Sequence, residues 1–125
     1  MLDHVLIAVY GTLKRGRENH AFFLAGAPFI GSGIIHGVAM INGLIPYAFS
    51  KAGAKIHVEV FSVDQQTVDR LDRLESVPYH YTRELRSVAM DDGRSVDAFV
   101  YLAANSTLKH VLKFDTQEIE VWPCV

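Results

Sequence analysis

The pattern of apolar positions along the chain predicts a fold made mostly of strands. Residues 4–10 are nearly all apolar, which is typical of a buried strand. Residues 55–63 alternate instead, so one face of that strand should lie in the core. Two further runs flank the turn residues 91–94 and predict a hairpin. The predicted strands are, in order, residues 4–10, 29–41, 44–50, 55–63, 82–90, 95–103 and about 117–122.

Glycine and proline divide these strands. Three glycines within residues 29–41 predict a bent or bulged strand there. The Asn-Gly pair at 42–43 is a strong hairpin-turn signal, and Ala-Gly-Ala at 52–54 predicts a second turn. Pro46 cannot donate a ladder hydrogen bond, so we expect the strand that contains it at a sheet edge.

Two or three short helices are predicted between the strands. Residues 65–74 carry apolar side chains at helical spacing, and Asp64 before them is a favourable N-cap. Residues 18–25 form a second candidate that ends at Gly26, and a third lies near 107–114. Because strands and helices do not alternate regularly, the pattern favours an α+β fold with a mixed sheet, curled into a small β-barrel with flanking short helices.

Composition narrows the class of protein. The chain has 125 residues and half of them are hydrophobic, so residues 1–125 are predicted to form one domain with a core of its own. A net charge of −2 does not favour a nucleic acid or an anionic membrane as partner. The single cysteine, Cys124, excludes an internal disulfide. No apolar run is long enough to span a membrane and the first residues do not resemble a signal peptide, so a cytoplasmic protein is expected.

A possible anion site follows the first strand. Residues 10–13 read Tyr-Gly-Thr-Leu, and backbone N–H groups at the end of a strand lack ladder partners. Gly11 allows a bend and a close approach of another molecule, so these N–H groups could hold a carboxylate or phosphate. A plain strand-to-loop turn is the alternative. The basic residues Lys14, Arg15 and Arg17 are either solvated or assist an anionic ligand.

Glu75 is the second candidate for chemistry. It stands at the end of the helix predicted over 65–74, next to the negative end of the helix dipole. If apolar groups also surround it, its pKa should rise and it could exchange protons near neutral pH. The alternatives are an exposed glutamate paired with Arg73 or Arg83, or a hydrolytic carboxylate pair of Glu59 with Glu75 or Glu84. The six histidines show no metal-ligand spacing, so no metal site is expected.

Three motifs, in order, resemble the gamma-glutamylcyclotransferase-like family. They are Y-G-T-L-K-R-G from residue 10, V-E-V-F from residue 58 and L-D-x-L-E-x-x-P-x-x-Y-x-R from residue 71. The resemblance covers about residues 5–103 and is nearest to the small branch that includes gamma-glutamylamine cyclotransferases. It implies a mixed β-barrel with a cavity at one end and an enzyme without metal or cofactor. The implied reaction releases 5-oxoproline and an amine or amino acid from a small γ-glutamyl substrate.

The resemblance also implies roles for individual residues. Glu75 matches the family's general acid/base. Tyr81 is expected to contact substrate or to orient Glu75, with packing in the core as the alternative. The residues that match the loop holding the glutamyl end of the substrate are Tyr10, Gly11, Thr12 and Leu13.

Two positions depart from the family pattern, which usually has glycine where this chain has Val58 and Ser76. Valine could tighten the cavity or bend its strand less, and serine removes backbone freedom beside Glu75. These departures leave a second function open, namely a binding or regulatory module that keeps the pocket without turnover.

Overall fold

The computed structural model describes residues 4–123 and contains six strands and three short helices. The strands are β1 (His4–Val9), β2 (Phe29–Ile41), β3 (Tyr47–Asp64), β4 (Tyr81–Met90), β5 (Ser95–Ala103) and β6 (Glu118–Ile119). The helices are α1 (His20–Phe23), α2 (Gln65–Leu74) and α3 (Asn105–Val111).

The strands form one mixed sheet in the order β3-β1-β5-β4-β2-β6. An additional pairing between β3 and β2 links five of the strands into a ring that is roughly barrel-like. Only the β1–β5 pairing is parallel within the described strands, with Ile7 opposite Phe99. The α+β fold with a mixed, barrel-like sheet and short helices is therefore as the sequence predicts.

Two apolar clusters stabilise this sheet, one on each of its faces. The first consists almost wholly of strand residues, among them Ile35, Ile56 and Val100, which are fully buried. The second packs α2 against the opposite face through Val68 and Leu71. Alternate side chains of one strand enter different clusters, because successive residues of a strand point to opposite faces of the sheet.

β3 crosses the turn that the sequence predicts at residues 52–54, so that prediction is wrong. Two β2 positions only two residues apart pair with Ser50 and Lys55 of β3. The extra β3 residues form a bulge, in which Gly53 has a φ of +83°. Gly53 therefore adopts the backbone conformation of a bulge inside one long strand, and the chain does not reverse direction there. The strand predicted over residues 44–50, which contains Pro46, enters β3 only from Tyr47 onward.

α2 has the predicted bounds, and the Asp64 carboxylate accepts a hydrogen bond from the Thr67 N–H at 2.8 Å. α1 is shorter than the prediction over 18–25 because the residues before it form successive turns. One of these is closed by the hydrogen bond from the Arg17 N–H to the Lys14 carbonyl, 3.0 Å long. α3 begins two residues earlier than predicted, and β6 is a two-residue strand.

No helix in the described range is long and apolar enough to cross a membrane. Cys124 lies outside the described residues. Residues 1–3 also lie outside them, and they belong to the N-terminal stretch that does not resemble a signal peptide.

Candidate active site

A helix-ending turn places Glu75 at the end of α2. Glu75 is the C-cap; the Ser76 N–H donates to the Arg73 carbonyl (3.2 Å) and the Val77 N–H donates to the Asp72 carbonyl (3.0 Å). These two bonds are those of a Schellman motif, which requires a left-handed residue directly after the cap. Ser76 takes that position with a φ of +51°. The departure from glycine at this position therefore leaves the backbone geometry beside Glu75 in place.

Serine in the left-handed region is strained, because its Cβ crowds the backbone in a way that glycine avoids. We expect Ser76→Gly to raise the free energy of unfolding by about 1 kcal/mol. Chemical denaturation followed by circular dichroism measures this. The matched control is Ser106→Gly on the exposed side of α3, which should lower stability, since glycine is a poor helix former. Equal losses in both variants would contradict the strain at Ser76.

Glu75 lines a cavity of about 250 Å³ between the ends of β1, α2 and β4. All six site residues predicted from the sequence lie on its wall, although they are separated by up to 71 positions in the chain. The predicted residues are Tyr10, Gly11, Thr12, Leu13, Glu75 and Tyr81. The others are Ala8, Val9, Asn19, Ile45, Pro46, Leu74, His80 and Tyr101.

The loop after β1, residues 10–13, lines the cavity and has backbone N–H groups without backbone partners. Within residues 4–123, no backbone hydrogen bond uses the N–H of Gly11, Thr12 or Leu13. Asn19 holds the loop in place, because its side chain donates to Thr12 Oγ1 at 2.9 Å and its N–H donates to the Thr12 carbonyl at 2.9 Å. The loop thus has the open amides that an anion site needs.

Packing, as well as the predicted bend, explains why residue 11 is a glycine. A Cβ at this position would lie 2.7 Å from Cγ of Pro46, closer than side chains pack. The absence of a side chain therefore lets the β1 loop pass directly against the residue that precedes β3.

Tyrosine side chains form the inner wall of the cavity. The Tyr10 hydroxyl donates to the Tyr101 carbonyl at 2.5 Å, and the Tyr81 ring stacks on Tyr47 with centroids 5.9 Å apart. Burial raises the pKa of Tyr10 and of Tyr81 well above the usual range, so both hydroxyls are neutral donors at physiological pH.

An ion pair joins the two ends of the third sequence motif. Asp72, on α2, lies 3.1 Å from Arg83 Nε on β4, and its Oδ1 also accepts a hydrogen bond from the Tyr101 hydroxyl at 2.8 Å. The Arg83 guanidinium also lies over the Phe99 ring, 4.7 Å from its centroid. Arg83 is therefore occupied by Asp72, and the alternative in which it neutralises Glu75 is not what the structure shows.

Burial raises the pKa of Glu75 from its usual value to about 7. No neighbouring charge or hydrogen bond opposes this effect within the described residues. A carboxyl group with such a pKa is present in both protonation states near neutrality, which suits a group that must accept and return a proton.

The raised pKa has a consequence for stability. Because the folded state binds the Glu75 proton more tightly than the unfolded chain does, ionisation destabilises the fold as pH rises from about 4.5 to about 7. Glu75→Gln removes this penalty, so the variant should be more stable than the wild type at pH 8, on the order of 3 kcal/mol. The advantage should disappear near pH 4. Urea denaturation at both pH values measures it, and an equal difference at both would mean that Glu75 is not buried as described.

The other two candidate carboxylates, Glu59 and Glu84, are paired with arginines outside the cavity. Glu59 accepts hydrogen bonds from Arg15, from the backbone N–H at 2.9 Å and from Nε at 3.3 Å. Glu84 is paired with Arg86 at 2.9 Å. Neither lines the Glu75 cavity, so the two-carboxylate hydrolase is not supported by the geometry.

The basic residues after the β1 loop are also engaged outside the cavity. Lys14 Nζ donates to the Trp122 carbonyl, and the Arg17 guanidinium lies 4.8 Å from the centroid of the Trp122 ring. Neither residue lines the cavity, so the geometry does not support a role for them in binding an anionic ligand there. Val58 lies in the core and not on the cavity wall, so it does not tighten the cavity.

Sequence reasoning missed several wall residues. Tyr101 could have been found from the β4–β5 hairpin, since it pairs directly with Arg83 in that register. Asn19 and His80 carry no pattern that marks them, because Asn19 reaches the site through a loop and His80 through its position before β4.

Comparison with known proteins agrees with the family resemblance of the three sequence motifs. Residues 7–122 match the family model described as "Gamma-glutamyl cyclotransferase, AIG2-like". A candidate gamma-glutamylcyclotransferase of Methanocaldococcus jannaschii is 35% identical over 102 residues, covering 80% of this chain and 85% of that protein. The gamma-glutamylaminecyclotransferase of Mus musculus is 36% identical over 117 residues, covering 78% and 77%.

The fold agrees with the sequence match. The crystal structure of an AIG2-like protein from Mus musculus superposes with a TM-score of 0.71 at 33% identity, covering 84% of this chain and 82% of that one. The family model spans both the β1 loop and Glu75, the two parts of the cavity described above. The chain therefore belongs to the AIG2-like gamma-glutamyl cyclotransferase family.

Proposed function

We propose that this protein is an enzyme that converts a γ-glutamyl amide into 5-oxoproline and a free amine. The observation that carries the proposal is a cavity holding both a partly buried carboxyl group, with its pKa raised to about 7, and a loop of open backbone amides. A small γ-glutamyl compound offers each of them a partner, since it has an α-carboxylate and an α-ammonium group. No cofactor enters the proposed reaction.

The amides of Gly11, Thr12 and Leu13 bind the α-carboxylate of the glutamyl group. The hydroxyl of Tyr81 donates a hydrogen bond to the substrate from the inner wall. Binding at this end leaves the α-ammonium group facing Glu75 across the cavity. The substrate is then bent, with its α-nitrogen close to its own γ-carbonyl carbon, and the five-membered ring supplies much of the proximity that the reaction needs.

Glu75 acts as general base and then as general acid. Its carboxylate removes a proton from the α-ammonium group, and the freed amine attacks the γ-carbonyl carbon. The new N–C bond closes the ring, and Glu75 returns the proton to the departing nitrogen as the amide C–N bond breaks. The second proton that the α-nitrogen loses also ends on the amine, so the reaction consumes no water.

The test is 5-oxoproline release by the purified protein from a panel of γ-glutamyl amides and γ-glutamyl amino acids, measured by mass spectrometry. Release that depends on Glu75 supports the proposal. A γ-glutamyl compound that raises the melting temperature of the protein without being converted to 5-oxoproline would favour the binding module instead. The two family departures do not favour that module, since Val58 lies off the cavity wall and Ser76 keeps the left-handed turn.

A further inference from the structure

His80 stands at the rim of the Glu75 cavity. It lines the cavity and is exposed to solvent, whereas Tyr10 and Tyr81 of the inner wall are buried. The His80 N–H donates to the Ser76 carbonyl at 2.9 Å, so His80 is tied to the turn that carries Glu75. The fold therefore places an imidazole and the Glu75 carboxyl group on the wall of one cavity.

Thr107 fixes the position of the hydrogen on the imidazole ring. The Thr107 hydroxyl oxygen lies 2.8 Å from the His80 carbonyl oxygen and 3.2 Å from His80 Nδ1. A carbonyl only accepts, so the shorter contact uses the single hydroxyl hydrogen and the longer one requires a hydrogen on Nδ1. In the neutral ring, Nε2 then has the free lone pair. Thr107 is buried, and the Ala104 N–H also donates to the His80 carbonyl, at 2.9 Å, so the fold holds this arrangement.

Tyrosine rings hold the imidazole in the cavity wall. The His80 ring is nearly perpendicular to the Tyr81 ring, with centroids 4.8 Å apart, and its centroid lies 6.0 Å from that of Tyr47. Burial, and after it the nearby charge of Glu75, raises the pKa of Tyr81, so the Glu75 carboxyl group is also close to Tyr81. Among the hydrogen bonds of the described residues, none uses His80 Nε2.

The proposed reaction needs a carrier for a second proton. An α-ammonium group has three hydrogens and the ring nitrogen of 5-oxoproline keeps one, so two protons move to the leaving amine, and Glu75 holds only one at a time. Burial raises the pKa of the wall tyrosines 10, 81 and 101, so they stay protonated. Imidazole accepts and returns protons near neutral pH, and His80 is the remaining titratable side chain among the described wall residues.

We propose that His80 is a second catalytic residue, whose Nε2 carries the second proton from the α-nitrogen of the substrate to the departing amine. After the attack, the α-nitrogen is bonded to the γ-carbon and is positively charged, and Nε2 removes one of its protons. Glu75 protonates the leaving nitrogen, which takes the electron pair of the breaking C–N bond. The imidazolium then gives its proton to the freed amine, so both residues return to their starting states. This inference rests on the function proposed above and adds a residue to it.

His80→Asn tests the proton transfer while keeping a side-chain N–H near the position of Nδ1. We expect kcat for 5-oxoproline release to fall by about 100-fold, the lower end for a positioned acid/base group, with KM little changed. The assay uses the γ-glutamyl compound of the panel above that the wild type converts fastest. His110→Asn is the matched control, because His110 is exposed and packs against the Phe114 ring away from the cavity, so its kcat should equal that of the wild type.

His80→Ala separates proton transfer from packing. Because His80 is exposed at the rim, a small ring from solution can enter the space that the side chain leaves. Added imidazole should raise kcat of this variant by about tenfold, since it replaces the missing base. Pyrazole has the same size but is a far weaker base, so it should have no effect. Circular dichroism checks that both His80 variants are folded, as expected for replacements at an exposed position.

The outcomes separate this inference from the proposed function. A lower kcat in His80→Asn, together with rescue of His80→Ala by imidazole and not by pyrazole, supports a proton carrier at this position. Wild-type kcat in His80→Asn overturns the inference and leaves the cyclotransferase function standing, and so does an equal effect of imidazole and pyrazole on His80→Ala, including no effect of either. No 5-oxoproline from the wild type with any γ-glutamyl compound overturns both proposals.

Discussion

Replacing Glu75 by glutamine should lower kcat for 5-oxoproline release by about 10²–10⁴-fold, the usual contribution of a positioned acid/base group. Glutamine keeps the size of the side chain but cannot accept or return the proton. A coupled or mass-spectrometric assay under substrate saturation measures the loss. Glu84→Gln is the matched control, because Glu84 is a partly buried glutamate paired with Arg86 outside the cavity, and its activity should equal that of the wild type.

The pH dependence of the wild type gives this prediction a second readout. Glu75 must be ionised to accept the proton of the substrate ammonium group, and burial raises its pKa to about 7. We therefore expect kcat/KM to be low at pH 5 and to rise through about pH 7 to a plateau. Full activity at pH 5, or a Glu75→Gln variant as active as the wild type, would exclude Glu75 as the base.

Gly11→Ala should damage both the fold and the activity. The added Cβ would lie 2.7 Å from Cγ of Pro46, a ring that cannot swing away, so the β1 loop or the start of β3 must move. We expect a loss of about 1–3 kcal/mol in the free energy of unfolding from this overpacking. A shift of about 1 Å in the loop amides is also expected to lower kcat/KM by about 100-fold.

Removing the ring of Pro46 should reverse the effect of Gly11→Ala. Pro46→Ala deletes the ring atoms that the new Cβ would meet, so the double variant Gly11→Ala/Pro46→Ala should be more active and more stable than Gly11→Ala alone. Denaturation and steady-state kinetics on all four proteins complete the cycle. If the double variant merely adds the two single losses, the contact with Pro46 is not the reason for glycine at this position.

Local patterns account for most of what was predicted correctly. α2 has its predicted bounds because Asp64 caps it and its apolar residues repeat at helical spacing. The β4–β5 hairpin follows from two apolar runs around a polar turn. The same local reading failed at residues 52–54, where a glycine that suits a turn also suits a bulge in one long strand.

Local patterns also identified one part of the candidate site and missed another. Tyr10, Gly11, Thr12, Leu13, Glu75 and Tyr81 were named from two motifs, and they line one cavity. Pro46 was not readable as a neighbour, since it reaches the site from the loop before β3, whereas Tyr101 follows from its pairing with Arg83 in the β4–β5 hairpin. The contacts of the basic run after residue 13 were not readable, because its partners, Glu59 and Trp122, are distant in sequence.

The sequence by itself determined the family, the α+β class and the identity of the two motifs, because these depend on residue types at short spacing. Only the tertiary structure decided what surrounds them. The pKa of Glu75 rises because the fold buries its carboxyl group. Arg83, which the sequence offered as a partner for Glu75, pairs with Asp72. The loop after β1 passes directly against Pro46 because Gly11 has no side chain, and the cavity wall takes Ile45 and Leu74 from separate elements. Burial and contact between distant segments are properties of the folded chain, so short patterns in the sequence do not contain them.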